Sequence, residues 1–227
     1  LVAEGDLVAL PLEAKTKLPK HLHELWQARV DRALNLLADA GTDGNARQCF
    51  ELAALLGRQV HREEWEDACR RAGLDTSQDL MNALLAMGLG VGTEEGFQFE
   101  HALVTESIIQ SCEEQGRRER LAEHSLAVLQ EAAARGRGDV RLVRHLERTG
   151  RSGEALAPLA RAADESMANG HLNQAEAMLN RRRSLLKQTN EARAEDDGIQ
   201  LAGEIRLALL RRQMKVAWSQ IEALEEL

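Results

Sequence analysis

The sequence predicts a mainly α protein in which one small β-hairpin interrupts a series of short amphipathic helices. Three observations predict it. Ala, Leu, Glu and Arg dominate, while aromatics make up 3% and Tyr is absent, a balance that favours helices packed through small and aliphatic side chains. From Gly96 to Ile108 the hydrophobic period changes from two to roughly four. Phe97 and Phe99 alternate with Gln98 and Glu100, as in a half-buried strand, and Val104, Ile108 and Cys112 then recur on one helical face. Beyond residue 117 the pattern is helical only, and a spacing repeats: Gly150 with Ala155, Gly170 with Ala175, and a degenerate Arg212 with Ala217.

The elements follow in order. Leu7 to Leu10 is a brief strand-like run closed by Pro11. Pro19 stands where a first-turn proline is tolerated, because its missing donor has no helical partner there. The helix after it gathers Leu22, Leu25, Trp26, Arg29, Val30, Ala33 and Leu37 on one face and ends at the turn residues Gly41 to Asn45. Three helices come next. The first carries Cys49, Leu52, Ala53 and Leu56 and stops at Gly57; the second runs from about His61 to Ala72 and buries Trp65, Ala68 and Cys69. The third starts at the capping-box pattern Thr76 to Asp79 and buries Leu80, Ala83, Leu84 and Met87. Leu89 to Thr93 and Phe97 to Glu100 flank Glu94-Glu95-Gly96, a hairpin turn with a glycine available for positive φ. Three helices and then a hairpin is the order of a winged helix, and the helix from His101 closes it.

From Arg117 onward a helix carrying Leu121, Ser125, Val128, Leu129 and Ala132 ends in Arg135 to Gly138. A glycine turn followed by a small residue lets antiparallel helices approach closely, and repeating that unit builds a helical solenoid. Pro158 lies early enough in its helix to leave it intact, and the polar, acidic stretch Asn190 to Gly198 reads as a longer connection between pairs.

The chemistry the sequence excludes is broad. The formal net charge of -8 over 227 residues argues against a general nucleic-acid-binding surface. The third helix of the winged-helix order carries Asp75 and Asp79 and no Lys or Arg, and the wing tip carries Glu94 and Glu95, the wrong sign for phosphates. Cys49, Cys69 and Cys112 are odd in number, lack a CxxC pair and read as buried free thiols in a reducing compartment. His61-Arg62-Glu63-Glu64 lacks the second histidine of a metalloprotease helix, His21 and His23 point different ways on a helix, and His124 and His145 have no shared register, so no metal site is expected. No phosphate loop and no Ser/His/Asp or Cys/His grouping is evident, so the chain is not read as an enzyme. Arg117-Arg118 and Arg181-Arg182-Arg183 read as solvated outer faces. No signal peptide or apolar run of about 18 residues is present, so no membrane association is expected and the location is expected to be cytoplasmic. The chain starts at Leu1 without a methionine and is expected to be a piece of a longer protein.

Three stretches resemble one family, the region C-terminal to the nucleotide-binding domain of STAND ATPases (signal-transduction ATPases with numerous domains). These include bacterial AAA-type regulators and NLR-type proteins. Leu18-Pro19-Lys20-His21-Leu22, continuing to Gln27-Ala28-Arg29-Val30, is similar to the helix that ends the ATPase lid. Phe50 to Gly57 resembles the first winged-helix helix, and Phe97 to Glu106 resembles the family's strand-to-helix signature. From about residue 117 the chain is similar to the family's tetratricopeptide-like (TPR-like) repeats. The resemblance implies that His101 faces the phosphates of a nucleotide held by a neighbouring ATPase domain; Ala102 stands where NLR-type proteins carry an aspartate. The other reading of His101 is that it caps or packs the junction.

The resulting expectation is a mainly α fold: a lid-like strand and helix at 1–40, a winged-helix domain with one small β-hairpin at 41–115, and a TPR-like α-superhelix at 116–227. The expected function is that of a regulatory and protein-interaction segment of a STAND-type ATPase. Its expected partners are the neighbouring ATPase domain and a protein or small inducer on the repeat face, with ADP or ATP bound only in the full-length protein. A stand-alone TPR-type adaptor with a structural winged-helix cap is the alternative.

Overall fold

Helix α1 (Lys20–Asp39) opens the structure, a computed structural model that describes residues 20–39, 45–76, 78–136, 139–189 and 194–225. The strand-like run at 7–10, Pro11, Pro19, Gly41 to Gly44 and Ser77 of the capping-box pattern lie outside those residues. The described residues form two units, divided between Arg135 and Gly136. The fold is mainly α, with eleven α-helices among the described residues and one small three-stranded antiparallel sheet.

In the first unit α1 is followed by α2 (Ala46–Leu56), β1 (Gln59–His61), α3 (Arg62–Arg71), α4 (Gln78–Ala86), β2 (Gly90–Thr93), β3 (Gly96–Phe99), α5 (Ala102–Glu114) and α6 (Arg118–Ala134). The period switch at Gly96 is realised as expected. Phe97 and Phe99 are buried and Gln98 and Glu100 are not, and then Val104, Ile108 and Cys112 face the core. Trp65 from α3 meets the edge of Phe97 at 5.4 Å between centroids, and Phe97 meets Phe99 at the same distance. Such edge-to-face pairs stabilise beyond their buried area, and the Trp65 indole donates to Cys49 O at 2.7 Å so that its polar atom is not stranded. Helix α6 packs on α2 and α3.

The hairpin β2–β3 does not stand alone. Residues 59–61 add β1 to the other side of β3, giving the order β1-β3-β2, with Val60 and Gly92 both opposite Phe97. Three residues are too few to display a period of two, and the strand exists because the free edge of β3 supplies its hydrogen-bond partners. Gly96 is required by this pairing, since a Cβ there would collide with the Val60 carbonyl oxygen. Gly90 is held for a similar reason: a Cβ would lie 2.7 Å from a Leu84 methyl and 2.9 Å from Gln98 O.

One helical face departs from expectation. Trp26, Val30 and Ala33 of α1 are buried, but Leu25 is exposed. It sits one residue off the stripe that α2, α4 and α5 cover, so the apolar face of α1 is narrower than its sequence suggests.

The second unit holds α7 (Asp139–Arg148), a 3-10 turn at Ser152–Ala155, α8 (Leu156–Ala168), α9 (Leu172–Thr189), α10 (Ala194–Leu210) and α11 (Met214–Glu225), and the helices pack sequentially along the chain. Gly150, Gly170 and Arg212 all take the left-handed conformation, and the small residues five positions on, Ala155, Ala175 and Ala217, are all buried. Pro158 is the third residue of α8, where its missing N–H has no helical acceptor to serve. The acidic stretch expected as a loop is largely helical. Helix α10 begins at Ala194, and Glu195, Asp196 and Asp197 occupy its first turn, where carboxylates are favoured by the helix dipole. Among the described residues no helix is long and apolar enough to cross a membrane.

Candidate functional site

The strand-to-helix junction places His101 at the N-terminal boundary of α5. The residue is extended, with φ −127° and ψ 141°, and its carbonyl accepts the first helical bond, from Val104 N at 3.0 Å. Its imidazole makes no capping hydrogen bond and is exposed. The ring lies against Trp26 of α1, with centroids 5.7 Å apart and planes tilted by 53°. On the same indole sits the Arg29 guanidinium, 4.9 Å from the ring centroid, anchored by a 2.7 Å bond from Nη2 to Met87 O. Two polar atoms in this neighbourhood are buried without a hydrogen-bond partner: the indole Nε1 of Trp26, and Oγ1 of Thr105, one turn along α5 from His101. A helix N-terminus, an uncommitted imidazole and a nearby guanidinium form an arrangement that can accept an anion. Trp26 and Arg29 were legible only as one face of α1; nothing in local sequence shows that their face meets a histidine some 70 positions away.

A second grouping has the order of a catalytic triad and a different purpose. Ser107 Oγ lies 2.9 Å from His23 Nδ1, and His23 Nε2 lies 3.6 Å from Glu114 Oε2. Gln27 Nε2 donates to Ser107 Oγ at 3.0 Å and to Ser107 O at 2.8 Å. A nucleophile has to reach a substrate, and Ser107 is 0% exposed in the middle of α5. The cluster is a polar clamp between α1 and α5. No sequence signal marks it, since its members are 80 and 84 positions apart.

The remaining histidines are scattered. His61 Nδ1 pairs with Glu95 Oε2 at 2.8 Å across the sheet, His21 and His171 are exposed, His124 is half-buried, and His145 is buried within α7. Among the described residues no three His, Cys, Asp or Glu side chains are placed to hold a metal ion. The cysteines are buried free thiols. A hydrogen bond between the thiols of Cys49 and Cys69 pushes the Cys69 pKa up, with burial adding to the rise, and lowers that of Cys49 against the opposing effect of burial. Burial, reinforced by the Glu51 charge, pushes Cys112 up to about 12.

Neither arginine cluster is a solvated face. Arg117 forms a fork with the carboxylate of Glu51, through Nε at 2.9 Å and through Nη2, and Glu51 is itself buried. Arg118 pairs with Glu113 at 2.8 Å. Arg181 reaches Glu147 at 2.6 Å and Arg183 is paired with Glu204. Arg182 is 1% exposed and donates to Leu156 O at 3.0 Å, Asp196 O at 2.8 Å and Asp196 Oδ1 at 2.8 Å, tying α8, α9 and α10 together. Its desolvation lowers the guanidinium pKa, an effect the Asp196 carboxylate opposes. The pattern misleads because a run of basic residues shows the charge and not the carboxylates that folding brings to it.

Compared with known protein families, curated proteins and solved structures, the chain matches none.

Proposed function

We propose that this chain is a regulatory and protein-interaction segment of a STAND-type signalling ATPase, in which residues 41–115 act as a winged helix that couples nucleotide state to the helical pairs that follow. The observation that carries the reading is His101: an exposed imidazole at the N-terminus of α5, uncommitted to capping and beside Trp26 and Arg29. In that position it would donate to a phosphate of ADP held by the neighbouring ATPase domain, with the α5 dipole favouring the same anion. The element order supports the winged-helix reading, with β1 between α2 and α3, α4 next, and the β2–β3 hairpin last before α5. The sequential packing of the helices from Asp139 to Glu225, with left-handed turns at Gly150, Gly170 and Arg212, supports a TPR-like superhelix, whose repeat face would take a protein or small inducer.

The test is ADP affinity measured by calorimetry on the longer protein that carries the ATPase domain, with and without His101→Ala. A charge-assisted bond lost at the phosphate is expected to weaken ADP binding by about 10- to 100-fold. Unchanged affinity would refute the sensor role. The 5.7 Å contact between His101 and Trp26 favours a second reading, in which the imidazole packs the junction and the chain is a TPR-type adaptor with a structural cap.

A further inference from the structure

Two of the three cysteines meet in the core of the first unit. Cys49 lies near the start of α2 and Cys69 near the end of α3, and the two helices pack on each other. Three further contacts set their side chains together. The indole of Trp65, one turn before Cys69 on the same face of α3, donates to Cys49 O at 2.7 Å. The Cys49 thiol donates to Asp75 O at 3.6 Å, and Leu74 N, one residue earlier, donates to Cys69 O at 2.9 Å. Cys49 is thus flanked by the chain from Trp65 to Asp75, with Cys69 between them, and the Cys69 thiol donates to Cys49 Sγ. Both sulfurs are buried.

Two thiols held in contact have a chemistry that neither has alone. The fold supplies each sulfur with an intramolecular partner, so a step between them needs no encounter. The two are also unequal. The bond from Cys69 lowers the Cys49 pKa, against burial and the Asp75 carboxylate, and the same bond together with burial raises that of Cys69. Cys49 is the sulfur that yields a thiolate more readily, and Cys69 is the one that keeps its proton. Cys112 differs: burial keeps it protonated up to about 12, and its thiol bonds the Glu51 carboxylate and not a second sulfur.

We propose that Cys49 and Cys69 are a peroxide-sensitive thiol pair, oxidised by hydrogen peroxide to a disulfide that ties α2 to α3. Cys49 is the attacking sulfur and Cys69 the resolving one. The Cys49 thiolate attacks one peroxide oxygen, the O–O bond breaks, and the departing hydroxide takes up the proton that Cys49 released, giving water and a sulfenic acid on Cys49. The Cys69 sulfur then attacks the Cys49 sulfur, the S–O bond breaks, and the hydroxyl leaves with the Cys69 proton as a second water. Two thiols lose two electrons and two protons, and one hydrogen peroxide is reduced to two waters. Burial selects this oxidant, because hydrogen peroxide is small and uncharged and both sulfurs lie inside the core.

The test is peptide mapping by mass spectrometry, without reduction, after the folded chain has been exposed to hydrogen peroxide and its remaining thiols alkylated in urea. A Cys49–Cys69 link with Cys112 alkylated is expected. The urea-unfolded chain, treated alike, should scatter its links over all three pairings, so a Cys49–Cys69 excess of at least about tenfold over the other two marks the folded-state reaction. Folded Cys69→Ala, checked by circular dichroism, is expected to hold Cys49 as a sulfenic acid that dimedone traps, because the resolving thiol is gone. The mapping of the unsubstituted chain decides the matter even if that variant does not fold. Three unlinked thiols at a dose that oxidises the unfolded chain overturn the proposal and leave the pair as inert packing. Links scattered as in the unfolded chain overturn it too, as does a sulfinic acid at Cys49 beside an unmodified Cys69. An unmodified Cys49 in folded Cys69→Ala overturns the assignment of Cys49 as the attacking sulfur.

Discussion

Replacing Arg212 with glycine is expected to stabilise the last helical pair. Arg212 is the non-glycine residue with positive φ among the described residues, at 59°. It closes α10 with the hydrogen bonds Gly170 uses to close α8. Arg212 N reaches Leu209 O at 3.0 Å and Gln213 N reaches Ala208 O at 2.8 Å; Gly170 N reaches Met167 O at 3.1 Å and His171 N reaches Ser166 O at 2.8 Å. The geometry is the same and only the Cβ differs. A left-handed conformation costs an L-residue about 1–2 kcal/mol, and glycine's freer unfolded chain gives back about 0.4–1 kcal/mol. The net gain is about 0.5–1 kcal/mol. The Arg212 side chain is exposed, so its removal opens no cavity. In native-state hydrogen exchange, amides of α10 and α11 should exchange about two- to five-fold more slowly in Arg212→Gly. Arg212→Asn should fall between, because asparagine tolerates this conformation better than arginine does. For the reverse change, Gly170→Arg, a Cβ at Gly170 meets no atom within 4 Å, and the substitution should speed exchange in α8 and α9 by a similar factor. Exchange in Arg212→Gly equal to or faster than that of the parent chain would refute the reasoning.

Three further outcomes follow from buried groups. Arg117→Met strands the Glu51 carboxylate and should lower the urea-unfolding free energy by about 3–5 kcal/mol, and adding Glu51→Gln should recover a large part of it. Gly203→Val forces a side chain into the α9–α10 approach, where a Cβ alone would lie 2.8 Å from a Leu179 methyl, and should cost about 1–3 kcal/mol by the same measurement. Cys112 keeps its proton in the folded state up to about 12, whereas an exposed thiol loses it near 9.0. Between those pH values the unfolded chain binds fewer protons, so stability is full below pH 9 and falls as pH rises toward 12; Cys112→Ala should flatten that part of the urea-midpoint profile.

Much of the local architecture was legible. Val104, Ile108 and Cys112 recur every fourth residue because one face of α5 is buried, and Phe97 and Phe99 alternate because one face of β3 is. The repeated Gly-to-Ala spacing was legible even through its degenerate copy, because the turn at Arg212 and the close helix approach at Ala217 are both local requirements. What was not legible depends on residues far apart in the chain. Strand β1 exists because β3 offers an edge, Arg182 is buried because Asp196 and Leu156 supply its acceptors, and Leu25 is exposed because none of the described helices covers its side of α1.

The candidate site divides the same way. The junction, its histidine and its position at a helix start could be read from residues 96–108, since the change of period marks them. The Trp26 and Arg29 environment of that histidine could not, nor could the His23–Ser107–Gln27 clamp that holds α1 to α5. By itself the sequence determined where most of the helices and the β2–β3 hairpin run, and the apolar sides of α5 and β3, because these depend on neighbours a few positions away. The tertiary structure alone decided which face meets which and which charges are paired, because those contacts join side chains tens of residues apart whose meeting no local period encodes.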